Sequence, residues 1–74
     1  MLLSNLVKGK CGKITEIVHL NENLIRRMTD MGVVEGADIS LRDTMPFGGP
    51  MMIEVGGNLI TIRRKDAASI EVGL

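Results

Sequence analysis

The sequence has no tryptophan and no tyrosine, and Phe47 is its only aromatic. Proteins that hold single-stranded nucleic acid stack bases on aromatic side chains, and the grooves that take proline-rich peptides are lined with them. This chain supplies neither platform. It also has one cysteine, Cys11, so no disulfide can form within it. That excludes a disulfide-stapled scaffold and fits a reducing cytoplasm. Lysines plus arginines number 9 and so do the acidic residues, leaving a formal net charge of zero. A dedicated nucleic-acid binder draws much of its affinity from neutralising phosphates, and no such excess of cations exists here. No apolar run approaches the roughly 20 residues that span a bilayer. The opening "MLLSNLVKGK" lacks the basic segment and long apolar stretch of a signal peptide. The expectation is a cytoplasmic protein that binds no nucleic acid and does not insert in a membrane.

The residues that carry catalysis are equally sparse. A nucleophile needs a base within hydrogen-bond reach. Cys11 and His19 are the only Cys–His pair, and both fall on one expected strand. At about 3.3 Å per residue a straight strand puts them roughly 26 Å apart. "GGP" and "GGN" lack the lysine and following helix of a phosphate-binding loop. No enzymatic activity is expected. Zinc sites take about four thiolate or imidazole ligands, more than one cysteine and one histidine supply. Met45, Met51 and Met52 offer soft thioethers of the kind Cu(I) prefers, but methionine more often fills cores or adaptable contact surfaces. No cofactor and no metal site are therefore expected.

What is present is a pattern of short strands. The 74 residues, 45% hydrophobic and 24% charged, form a single domain over 1–74. A chain of this size buries only about 60% of its unfolded surface. "CGKITEIVHL" (11–20) reads as a first strand whose imperfect alternation at Ile14, Ile17 and Val18 predicts a bulge or bend. A helix over 21–31 follows, with Asn21 as N-cap, Glu22 in the first turn, and Leu20 with Ile25 as a hydrophobic staple. Leu24, Ile25, Met28 and Met31 make its apolar face, and Gly32 its left-handed stop. The period then becomes two. "ADISLRDT" (37–44) turns Ile39 and Leu41 inward, "MMIEV" (51–55) Met51, Ile53 and Val55, and "LITIR" (59–63) Ile60 and Ile62. Gly56-Gly57-Asn58 is a tight-turn signal. "KDAAS" (65–69) suits one helical turn and "IEV" (70–72) a closing strand. About five short strands, too few for a sandwich, point to a small barrel whose closure removes free edges.

The order of "LSNLVKGKCGKI", "LIRRMTDMGVVEGADISL" and "MPFGGPMMIEVGGNLITIRRKDAASIEV" resembles the FeoA family across essentially the whole chain. Met31-Gly32 followed by Glu35-Gly36, a P-x-G-x-P type of loop, and "LITIRRKDAASIEV" carry the likeness. The resemblance implies a mainly β fold, a small SH3-like β-barrel of about five strands with one helix between the first and second. It implies an accessory protein acting on FeoB, the membrane ferrous iron transporter with a GTP-binding domain. A similar barrel forms the C-terminal domain of iron-dependent repressors of the DtxR type, so a stand-alone metal-responsive regulator is the alternative. The sign of regulation, Fe(II) binding by the chain itself and weak homo-oligomer formation stay open. One departure is Phe47, where most relatives carry an aliphatic residue after the first loop proline.

"TMPFGGPMM" (44–52) holds both prolines, the one aromatic and three of the six methionines. Pro46 fixes φ and restricts the residue before it, and Gly48-Gly49 permits positive φ. The stretch reads as a stiff hairpin connection. Phe47 is then either folded back as a lid on the core or left, with Met45 and Met52, as an exposed apolar knob. Arg26 and Arg27 read as solvent-facing helix charges. Arg63-Arg64-Lys65 reads as a solvated strand end partly neutralised by Asp66, with Arg63 and Arg64 on opposite sides. By the resemblance, Arg63 tethers the barrel through backbone carbonyls. Either basic set can meet an acidic partner. Met45, Pro46, Phe47, Met52, Arg26 and Arg64 are the expected partner-binding residues.

Overall fold

A computed structural model of the protein describes residues 1–18 and 21–74. Five strands form one antiparallel sheet: β1 (Cys11–Ile17), β2 (Asp38–Thr44), β3 (Met51–Val55), β4 (Asn58–Ile62) and β5 (Ile70–Gly73), in the order β4-β3-β2-β1-β5. A helix, α1 (Glu22–Asp30), joins β1 to β2, and a single helical turn, α2 (Arg64–Ala67), joins β4 to β5. Alternation does what the sequence pattern requires. Ile39 and Leu41 of β2, Met51, Ile53 and Val55 of β3, and Ile70 and Val72 of β5 are all buried. The core they enclose also takes Ile14, Met28, Val33 and Ile62, with Leu3 and Leu6 from the N-terminal segment.

The expected irregularity of β1 is present as a register shift between Ile14 and Glu16, and a second shift lies between Leu41 and Asp43 of β2. Bulges of this kind bend a strand, and two of them curl a five-stranded sheet around one core. Gly12 is part of the same device. A Cβ there would lie 2.5 Å from the Gly73 carbonyl oxygen and 2.7 Å from Val72 Cγ1, so β1 crosses to β5 only with glycine at this place.

Among the described residues the curled sheet is not closed by hydrogen bonds: β4 and β5 are its two edges. The expected removal of free edges is achieved on the β5 side by other means. The Met1 ammonium donates to the Val72 carbonyl at 2.9 Å, the Val72 amide donates to the Met1 carbonyl at 2.6 Å, and Leu2 forms a bridge to Glu71. The N-terminal segment thus covers an edge that would otherwise invite intermolecular pairing.

Helix α1 begins where the sequence signals it. The Asn21 side chain accepts the Leu24 amide at 2.8 Å. At the other end Gly32 has φ +86°, the Gly32 amide donates to the Thr29 carbonyl at 3.0 Å, and the Val33 amide to the Met28 carbonyl at 2.8 Å. This is a Schellman stop, with buried Val33 packed behind buried Met28. The apolar face is narrower than expected. Met28 is buried and Leu24 half-buried, while Ile25 and Met31 are exposed. Leu24 and Met28 are four residues apart and share one ridge, whereas Ile25 lies about 100° further round the helix. Leu20 of the expected staple and His19 of the Cys–His pair fall outside the described residues.

Candidate partner-binding site

The segment 44–52 is the β2–β3 hairpin connection, with Thr44 opposite Met51 and Asp43 opposite Met52. Beyond the strands the Met45 amide donates to the Pro50 carbonyl at 3.0 Å and the Gly49 amide to the Pro46 carbonyl at 3.2 Å. Both prolines therefore act only as acceptors, which suits residues without an N–H. The central pair of the turn is Phe47-Gly48, with φ +60° and +74°. Positive φ at both central residues is the mark of a type I′ turn, the kind that matches strand twist in tight hairpins.

The positive φ values thus fall one residue earlier than the Gly48-Gly49 pair the sequence suggests. Pro46 cannot be central in such a turn, because its ring holds φ negative, so it takes the first place and Phe47 the second. Gly49 is needed for a different reason: a Cβ on it would come within 2.8 Å of the Met45 Cβ. Phe47 is the one residue other than glycine with positive φ among the described residues.

Of the two orientations left open for Phe47, the ring takes the outward one. Its relative exposure is 104%. Met45 beside it is 40% exposed, and Met52 is half-buried. The three methionines do not converge: alternation along β3 sends Met51 into the core, away from Met52. Among the described residues no three His, Cys, Asp or Glu side chains are grouped as metal ligands. The charges near the hairpin are paired at its flanks, Lys8 with Asp43 at 3.7 Å and Arg42 with Glu54 at 3.4 Å. Such exposed pairs add little stability, but they leave Phe47 as an uncharged tip.

The hairpin is continuous with a second feature. Met52 stands opposite Thr61 of β4, and Met51 opposite Ile62. Thr61 and Ile62 line a cleft of about 540 Å³ between α1 and the β4–α2 corner, which also takes in Arg27, Arg63, Lys65 and Asp66. Neither Arg26 nor Arg64 lines it. The structure thus brings Met45, Pro46, Phe47 and Met52 together, while Arg26 and Arg64 stand apart from the cleft. Arg64 is half-buried, with an Nε that has no hydrogen-bond partner among the described residues. The Arg63 side chain makes no hydrogen bond to a described carbonyl. Its own carbonyl instead accepts the Asp66 and Ala67 amides at 3.0 and 2.9 Å and so starts α2. Arg27, which reads from the sequence pattern only as a solvent-facing charge, lines the cleft because residues 24, 27, 28 and 31 share one side of α1. Nothing in the sequence brings Lys65 to the same place, which depends on where α2 packs.

No curated protein sequence matches the chain. A model of the FeoA domain matches residues 1–74. Among solved structures the chain is similar to the FeoA protein of Chlorobium tepidum, with 33% identity over 97% of this chain and 68% of that one and a TM-score of 0.90. It is also similar to the FeoA of Stenotrophomonas maltophilia complexed with zinc, described as a prokaryotic SH3 domain protein, with 25% identity, 99% and 89% coverage and a TM-score of 0.82. A manganese-dependent transcriptional repressor superposes with a TM-score of 0.87 over 97% of this chain and 40% of that one. At 15% identity that last likeness is one of fold alone. The SH3-like fold expected from the sequence is borne out by these neighbours.

Proposed function

The chain belongs to the FeoA family, whose members take part in ferrous iron transport, and on that premise we propose that it is a cytoplasmic accessory protein of a FeoB-type transporter. It binds the transporter's cytoplasmic GTP-binding region through the tip of the β2–β3 hairpin and so modulates uptake. The S. maltophilia relative has been put forward as an activating factor of ferrous iron transport, which is the same kind of role. Among the described residues no helix is long and apolar enough to cross a membrane.

One observation carries this reading: the chain's single aromatic is fully exposed, in left-handed backbone, at the end of a stiff turn. Left-handed backbone disfavours side-chain-bearing residues by about 1 kcal/mol or more. Exposure returns none of that cost to folding. Burying a phenyl ring against a partner yields on the order of 2 kcal/mol, and a turn already held by two hydrogen bonds loses little entropy in doing so. Aromatic and methionine side chains are also those enriched at interface centres. The test is a titration of the chain into the soluble GTP-binding region of the transporter, with and without nucleotide. Saturable binding supports the reading. No binding under either condition, with normal ferrous uptake in cells lacking the protein, would end it.

A further inference from the structure

We propose that the cleft between α1 and the β4–α2 corner is a docking site for a short acidic peptide segment that carries an apolar anchor residue. The chain as a whole is neutral, yet this cleft has three cationic side chains, Arg27, Arg63 and Lys65, against the single carboxylate of Asp66. None of those three cations is in an ion pair among the described residues. The acids that are paired, Asp38, Asp43, Glu54 and Glu71, are held elsewhere by Lys13, Lys8, Arg42 and the N-terminal ammonium. A neutral molecule that gathers unpaired cations in one concavity has a field directed at an anion.

The floor selects among anions. Its accessible apolar part is half-buried Leu24 and exposed Met31 of α1, lying over the buried Met28 and Ile62. Inorganic phosphate satisfies the rim and leaves this floor wet. Single-stranded nucleic acid needs stacking partners that the cleft does not have. A peptide with carboxylates on both sides of a leucine-like residue satisfies rim and floor together. Asn23 and Thr61 supply polar groups for its backbone. The molecule measures 28 × 23 × 22 Å, and about six extended residues span roughly 20 Å, so a segment of that length crosses most of one face.

Position adds a further argument. Thr61 pairs with Met52 across the β3–β4 ladder, so the cleft adjoins the hairpin and one partner can occupy both. The cleft nevertheless stands apart from the transporter reading, because its test needs no transporter. The probe is an acetylated and amidated hexapeptide of glutamate and leucine, titrated into the full-length protein and followed by amide chemical shifts. A matched peptide with glutamine in place of glutamate serves as control, and inorganic phosphate as competitor.

The expected result is saturable shifts centred on Asn23, Arg27, Thr61, Arg63 and Lys65, with no saturation by the glutamine peptide. The double variant Arg27→Ala/Lys65→Ala should weaken binding by about tenfold, within the range for two exposed charge contacts. Both side chains are exposed, so the variant should fold with an unchanged spectrum outside the cleft. The proposal is overturned if no shift saturates, if the glutamine peptide binds equally well, or if the shifts map to another face. It is overturned as well if phosphate at equal concentration produces the same shifts and displaces the peptide, since the site would then be one for small anions.

Discussion

The two β-turns of the β2–β3–β4 meander share a pair of positive φ angles at their central residues and have opposite contents. Between β3 and β4 the central residues are Gly56 and Gly57, with φ +58° and +84°. Between β2 and β3 they are Phe47 and Gly48, with φ +60° and +74°. Glycine enters this region without steric penalty, so the Gly-Gly turn is the strain-free solution, and the chain uses it where nothing but reversal is required. At the other turn the same geometry holds an aromatic ring that touches little of its own protein. A residue kept in a disfavoured conformation without internal contacts to hold it there points toward function. The Gly-Gly turn shows that this fold can do without the strain.

Substitutions can break this comparison, beginning with the strand that links the two turns. Ile53 lies at the middle of β3 and is 0% exposed. Ile53→Ala should cost about 3 kcal/mol through lost burial and a residual cavity, lowering the denaturant midpoint and loosening both turns together. If only one turn responds in hydrogen exchange, the hairpins are independent units. Gly49→Ala should come next, at about 2 kcal/mol, because its Cβ would crowd Met45 and overpacking strains the backbone. Gly56→Phe is a smaller change: a Cβ at Gly56 meets nothing within 4 Å, so the cost is that of φ alone, about 1 kcal/mol. Phe47→Gly is the reverse exchange and should leave stability unchanged or raise it by up to about 1 kcal/mol, since the strain is relieved and glycine's chain entropy offsets part of the gain.

Much of this fold is legible in the residues themselves. Period-two alternation over Ile39–Leu41 and Met51–Ile53–Val55 identified the buried faces, because a strand has only two sides. Asn21 and Gly32 marked the helix ends, because the groups left unbonded there have few chemical solutions. The narrowing of the α1 face to Leu24 and Met28 was not legible, since it depends on how an open sheet receives a short helix. Nor was the covering of the β5 edge by Met1 and Leu2, a pairing of residues about 70 positions apart. In the candidate site the turn was readable from its prolines and glycines, but the direction of the Phe47 ring was not. That direction follows from Pro46 taking the first turn place, which moves Phe47 into a central one. The cleft was hidden for a similar reason: Arg27 lies on a readable helix face, but Arg63 and Lys65 join it only through the packing of α2.

The most direct test of the account compares Phe47→Gly with the unchanged protein in two measurements on the same samples: thermal unfolding, and titration into the transporter's soluble GTP-binding region. The expected result is a melting temperature that holds or rises while affinity falls by at least about tenfold, the loss of one buried ring. A fall in melting temperature, or an affinity that does not change, would contradict it.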